Sequence, residues 1–151
     1  MGVLKRSSAG ATLVTIIKDI KSDADGGSNT TDTTHTRTLN TLEGDHAAMG
    51  ITIDTNVITI PAGKYLVEFS CPGCGINQHQ ALFYDEDGTS VAIVGQDMFS
   101  LTTGNSTSHS YGVGVLDLSA SNTYTLRHYT NTAGGADGFG VQTALGNNTN
   151  T

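Results

Sequence analysis

Apolar residues along this chain recur at every second position or in short β-branched runs, a pattern that predicts strands rather than helices. Gly, Asn and Asp break the runs, and these residues are typical of turns. Lys64–Phe69 has the alternation expected of a central strand, whereas His35–Leu42 alternates imperfectly and is expected at an edge. About ten strands are predicted, at Thr12–Ile20, His35–Leu42, Gly50–Ile53, Val57–Ile60, Lys64–Phe69, Gln78–Tyr84, Ser90–Val94, Ser108–Leu118, Tyr124–Tyr129 and Gly138–Thr143.

Short strands at regular spacing, with no helical pattern between them, indicate an all-β, jelly-roll-like sandwich of antiparallel strands. A doubly wound sheet is excluded because each of its crossovers needs a helix. The chain of 151 residues has the usual size of one domain. We expect an N-terminal arm over residues 1–10, the jelly-roll domain over 11–146 and a polar C-terminal tail over 147–151.

Charge limits the partners of the chain. Seven basic and fourteen acidic residues give a net charge of -7, which repels a phosphate backbone, so no nucleic acid partner is expected. No apolar run approaches the roughly 20 residues that span a bilayer, so no membrane insertion is expected either. The first residues also lack the apolar stretch of a secretory signal.

The sequence Cys71-Pro72-Gly73-Cys74 is the feature closest to a known chemical motif. Paired cysteines at this spacing serve redox enzymes or form half of a zinc site. A redox site needs a helix after the motif, where this chain continues into another strand, and a zinc site needs two more ligands, which only His79 and His109 could supply through the fold. We favour a structural turn with free thiols or a local disulfide over both alternatives.

No other cluster predicts catalysis, a metal or a cofactor. Asp85–Gly88 is acidic but lacks the ligand pattern of a calcium loop and is better explained as a hairpin turn. In Ser108-His109-Ser110, neighbouring strand residues point to opposite faces, so the sequence does not predict a catalytic triad. We therefore expect no enzymatic activity, no catalytic residue and no cofactor.

Several short segments between Ile16 and Gly146 occur in an informative order. They are Ile17–Lys21, Asp25–Gly27, Arg37–Asp45, Ile60–Leu66, Asn77–Gln80, Leu82–Asp85 and Gly138–Val141. Through these segments the chain resembles bacteriophage virion domains that share the fold of tumour-necrosis factor and of the globular head of the first complement component. The resemblance implies a trimeric jelly roll.

The resemblance also implies a role and a location. It suggests a phage virion structural protein, either a capsid decoration (cement) protein or a short head or tail fibre protein. The alternative is a tail fibre tip that binds a host receptor or carbohydrate. The expected partners are further copies of the chain, capsid or tail proteins, and in the alternative a host surface receptor or glycan. Such a protein is assembled in the host cytoplasm and exposed on the particle surface.

The resemblance further suggests how copies meet. Apolar and aromatic residues of the later strands are expected to line the three-fold axis, namely His79, Phe83, Tyr129 and Phe139. The family continues past Gly140 into a closing strand that is rich in Tyr and Val, whereas residues 146–151 here are polar. We therefore expect a neighbouring chain to cover the sheet edge near Val141. The N-terminal arm, with Lys5 and Arg6, is expected to contact another subunit or the particle body.

Overall fold

Antiparallel strands make up most of the computed structural model, which describes residues 1–8, 11–22, 24–103, 106–141 and 149–150. The strands are β1 Gly2–Ser8, β2 Ala11–Lys18, β3 Lys21–Ser22, β4 Thr33–Thr36, β5 Thr41–Gly44, β6 Thr52–Asp54, β7 Val57–Ile60, β8 Gly63–Cys74, β9 Asn77–Asp85, β10 Ser90–Ser100, β11 Thr107–Leu118, β12 Asn122–Thr130 and β13 Thr149–Asn150. One short helix, α1, spans His46–Met49. No helix in the described ranges is long and apolar enough to cross a membrane.

The strands form two main sheets that pack face to face, which confirms the predicted jelly-roll-like sandwich. The first sheet has the order β11-β8-β1-β2-β5, and the second has the order β10-β9-β12-β7-β6, with β4 also paired to β12. The short strands β3 and β13 pair separately. Phe69 of the first sheet stacks on Phe83 of the second at 6.1 Å between ring centroids, and Phe83 stacks on Tyr124 at 4.9 Å. The core therefore lies between the sheets.

Period-two alternation explains which residues enter the core. In β8 the side chains of Tyr65, Val67 and Phe69 are buried, while Lys64 and Leu66 are exposed. The hairpin between β6 and β7 also forms as predicted, because Thr55 and Asn56 both adopt positive φ angles, 47° and 69°, as a tight two-residue connection requires.

The prediction of an N-terminal arm is wrong. Residues 2–8 form β1, which lies inside the first sheet between β2 and β8. Leu4 is buried opposite Val67, and Lys5 points outward, where it forms an ion pair with Glu68 at 3.1 Å. The apolar residues of the segment are the adjacent Val3 and Leu4, which are followed by Lys5 and Arg6, so it has no period-two alternation that would predict a strand. Its place in the sheet comes from pairing with β2 and β8.

Two further strand predictions are wrong. The segment His35–Leu42 is not one edge strand, because β4 pairs with β12 in the second sheet and the chain then crosses to β5 in the first. The segment Gly138–Thr143 is not a strand over its described residues 138–141, which belong to a turn held by a Gly138 N–H bond to the Gly135 carbonyl. Residues 142–143 and most of the predicted tail 147–151 lie outside the described residues. The expected sheet edge near Val141 is thus absent from the described residues.

Candidate functional site

The Cys-Pro-Gly-Cys motif lies at the end of β8 and pairs with β11, so the prediction of a turn is wrong. Pro72 is tolerated inside this strand for a local reason. The N–H of Ser70 points toward β1 and donates to the Met1 carbonyl. The nitrogen of Pro72, two residues further along β8, points to the same side. It lies beyond the last registered pair between β1 and β8, which is Gly2 with Phe69. The absent N–H therefore costs no ladder bond.

Both cysteines are free and buried. Burial raises the pKa of the Cys71 thiol, which keeps it protonated and unreactive at neutral pH. No group of three or more potential metal ligands occurs in the part of the chain that the structure describes. The motif therefore fills core space with two small apolar side chains.

The interior contains a pair of histidines that the sequence did not predict as a pair. His79 on β9 and His128 on β12 are fully buried, and Nδ1 of His79 lies 2.8 Å from Nε2 of His128. Nε2 of His79 lies 2.8 Å from Oγ of Ser108 on β11. Nδ1 of His128 has no hydrogen-bond partner. A buried acceptor without a partner costs less than a buried donor without one, so we assign the shared proton to Nε2 of His128.

Burial lowers the pKa of both imidazoles, to about 4 for His79 and to about 2 for His128. The positive charge of Arg37 contributes in the same direction for each. Both rings are therefore neutral at pH 7 and connect the two sheets through hydrogen bonds. Neither ring reaches the surface in this structure.

Three of the four residues predicted to line a three-fold axis are buried inside their own chain. His79, Phe83 and Phe139 contribute to the interior, so they offer no surface to another copy of this conformation. Tyr129 is half-buried, and its hydroxyl donates to Asp32 at 3.0 Å. His79, Phe83 and Tyr129 lie in strands, as predicted. The sequence did not show which face of each strand is turned inward.

A different apolar surface is exposed along two edge strands, and we call it the β10–β11 surface. Strand β11 is an edge of the first sheet and β10 is an edge of the second. The two edges lie side by side, and Oγ of Ser110 donates to the Gln96 carbonyl at 2.6 Å between them. The exposed apolar side chains of the β10–β11 surface are Val91, Val94 and Phe99 of β10, Tyr111, Val113 and Val115 of β11, and Leu66 of the neighbouring strand β8.

Glycines explain why the valines of β11 point outward. Gly112 and Gly114 occupy the inward positions between Ser110 and Leu116. A Cβ on Gly112 would overlap the ring of Phe69, and one on Gly114 would lie 2.8 Å from Cδ1 of Ile93. The core is therefore filled by side chains of other strands, and the apolar residues of β11 face the surface. The alternation of Gly and Val was the sequence signal for this arrangement.

A cavity of about 360 Å³ opens at the end of the sandwich where the β2–β3 connection, the end of β8 and the turn around Phe139 meet. Its lining includes Asp19, Lys21, Arg37, Pro72, His109 and Phe139. No sequence pattern predicted this cavity, because its lining residues come from several segments that are far apart in the chain.

The searches against protein-family models and against curated proteins found no match for this chain. What the chain does must therefore be inferred from the residues and contacts described above, and the fold that these contacts build is an all-β sandwich.

Proposed function

We propose that this chain is a non-enzymatic structural protein of a virus particle. In this proposal it forms a homotrimer that acts as a capsid decoration or a short head or tail fibre protein, bound to capsid or tail proteins and exposed on the particle surface. The observation that carries the proposal is the β10–β11 surface. The sequence resemblance to bacteriophage virion domains supplies the trimer and the particle.

The β10–β11 surface has the character of an interface. Single exposed apolar residues are normal on a monomer, whereas a contiguous apolar patch marks an interaction site. Val115, which is 69 % exposed, is the cross-strand partner of Leu66, and Val113 follows on the same face of β11. Covering these side chains with another protein surface would remove them from water.

Charge favours a second copy of the chain as the partner of this surface. The net charge of -7 makes copies repel each other in general. Strand β11 has no acidic residue from Thr107 to Leu116. Beside β11, Asp117 pairs with Lys64 at 2.9 Å and Glu68 pairs with Lys5 at 3.1 Å, whereas the exposed Asp97 lies on β10. Two copies can approach through the β11 side of the surface with little repulsion.

The edge geometry favours a closed oligomer over an open chain of subunits. Strand β10 changes register between Val91 and Ile93 and again between Val94 and Asp97. Such irregularities interrupt the row of backbone donors and acceptors that would template continuous strand addition. Subunits of this kind are expected to contact each other through side chains and to form a closed ring with rotational symmetry.

Light scattering of the purified chain tests the oligomer. We expect a mass near three times the 15.7 kDa of one chain at micromolar concentration. V115D should reduce this mass toward the monomer, because it adds a charge to the β10–β11 surface. T52D is the matched control, an exposed Thr on the opposite edge strand β6, and should leave the mass unchanged. A monomeric wild-type chain would contradict the trimer.

Electron microscopy of virus particles tests the location. Gold-labelled antibody raised against the purified chain should bind the capsid or a short fibre. Label confined to the far end of a tail fibre would favour the alternative function below. Particles that bind no label, from a virus shown to express the chain, would overturn the assignment to the particle.

The alternative is a tail fibre tip that binds a host receptor or carbohydrate. The cavity around Arg37 favours this alternative, because ligand sites of small molecules are concave, partly apolar and supplied with a few polar groups. A glycan array probed with the labelled chain distinguishes the two functions. Binding to a defined set of glycans supports the alternative, and an array without signal supports the purely structural function.

A further inference from the structure

The guanidinium of Arg37 is a buried positive charge without a carboxylate partner. Its side chain is 9 % exposed, and the guanidinium carbon lies 4.3 Å from the centroid of the Phe139 ring. Nη2 donates to the Phe139 carbonyl at 3.1 Å, whereas Nη1 is buried without any hydrogen-bond partner. Within the described ranges, no ion pair involves Arg37. Buried charges in proteins are normally paired, because leaving them unpaired is costly.

The acid in the same cavity is already engaged by other residues. Oδ2 of Asp19 forms an ion pair with Nζ of Lys21 at 2.8 Å, and Oδ1 of Asp19 accepts a hydrogen bond from Nδ2 of Asn40 at 3.0 Å. Asp19 and Lys21 neutralise each other, and the N-terminal ammonium of Met1, which also lines the cavity, donates to the Ser70 carbonyl at 2.8 Å. Among the described lining residues, Arg37 is therefore the buried cation that has an N–H group without any acceptor. His109 adds no positive charge at pH 7, because burial lowers its pKa.

We propose that this cavity binds a small organic molecule carrying one carboxylate, which pairs with Arg37 while the rest of the molecule lies against Phe139 and Pro72. The planar guanidinium fits a carboxylate through two parallel hydrogen bonds. The apolar wall of Phe139 and Pro72 beside the guanidinium matches an organic carboxylate better than an inorganic phosphate, which has no apolar part to place there. This site belongs to the single chain and does not depend on the trimer or on the virus particle.

The size of the cavity limits the ligand. Its volume of about 360 Å³ accommodates about a dozen non-hydrogen atoms, given roughly 30 Å³ for each water-sized group. A sugar acid or a simple aromatic acid has this size. A ligand of this size that gains a typical free energy per atom has a dissociation constant on the order of 1 mM.

Calorimetry and NMR titration of the full chain test the proposal with matched pairs of probes. Glucuronate is compared with glucose, and benzoate with benzamide, so that each pair differs mainly in the carboxylate. We expect at least one carboxylate to bind and its neutral counterpart to bind about tenfold more weakly or not at all. Inorganic phosphate should bind more weakly than that carboxylate.

Variants assign the binding to Arg37. R37M should weaken carboxylate binding about tenfold or more. R127M is the matched control, since Arg127 also stacks on an aromatic ring, Tyr84, but lies outside the cavity and pairs with Glu86. It should leave binding unchanged. If R37M does not fold, the wild-type titrations still show whether the cavity prefers a carboxylate over its neutral counterpart. Failure of both carboxylates to bind at about 20 mM, equal binding of the neutral probes, or tighter binding of phosphate would overturn the proposal.

Discussion

His79 and His128 share a hydrogen bond of 2.8 Å in the interior of the sandwich, where neither imidazole reaches water. The bond connects neighbouring strands of the second sheet, and Ser108 continues it to the first sheet. A polar chain of this kind has a consequence for stability, because the unfolded chain can protonate both rings at a pH at which the folded chain cannot.

We expect the free energy of unfolding to fall as the pH falls from about 7 to about 4. Both folded pKa values are lowered, to about 4 and about 2, while the unfolded rings titrate near 6.5. Below 6.5 the unfolded state therefore binds more protons, and stability decreases down to the folded values. Urea unfolding of the wild type and H128Q measures the effect. The wild type should lose about 2 kcal/mol more than H128Q over this range, and parallel pH profiles would contradict this.

The glycines of β11 predict that substitutions at two neighbouring positions, one inward and one outward, have very different effects on the free energy of unfolding. G112A should lower the free energy of unfolding by about 1–3 kcal/mol, because the added methyl group overlaps the Phe69 ring. V113T, next to it on the exposed face, should change the stability of the monomer by less than about 0.5 kcal/mol. Chemical denaturation followed by circular dichroism measures both. A neutral G112A would mean that Phe69 can move aside.

Reaction of the native chain with a thiol-specific reagent should be slow. Cys71 and Cys74 are buried and free, and the pKa of Cys71 is raised. We therefore expect no labelling in buffer within minutes and stoichiometric labelling of both thiols in denaturant, read by absorbance. Fast native labelling of either cysteine would show that the end of β8 opens readily.

The N-terminal strand predicts that the first residues are essential for folding. L4A should lower the free energy of unfolding by about 2–5 kcal/mol, because Leu4 is fully buried. L66A, an exposed leucine on the adjacent strand, should cost far less in the monomer. Deletion of residues 1–8 should abolish the cooperative unfolding transition. A deletion variant that unfolds like the wild type would show that β1 is dispensable.

Local pattern predicted most of the fold. The alternation in β8, β9 and β12 and the hairpin at Thr55-Asn56 were sufficient to place strands and indicate a sandwich. Strand β1 was missed because its identity as a strand depends on β2 and β8, not on its own residues. The split at Arg37 was missed because β-branched Thr continues on both sides of a change of sheet.

The candidate sites were harder to predict than the strands. The His79–His128 pair joins residues that are 49 positions apart, and the Arg37 cavity joins several distant segments, so neither produces a recognisable spacing in the sequence. The cysteines had a recognisable spacing, yet their chemistry is decided by burial, which sequence spacing does not contain. The outward valines of β11 had a local signal, because each inward neighbour is a glycine.

The position of β1 also constrains how the chain is made. During synthesis β1 can pair at once with β2, but its other edge must wait for β8, and β8 in turn must wait for β11, which ends at Leu118. The first sheet therefore cannot be completed until most of the chain has left the ribosome. Such non-local pairing is typical of domains that fold in milliseconds to seconds. Throughout that interval the unpaired edge of β1 is exposed to other nascent chains, and this is where chaperones would act.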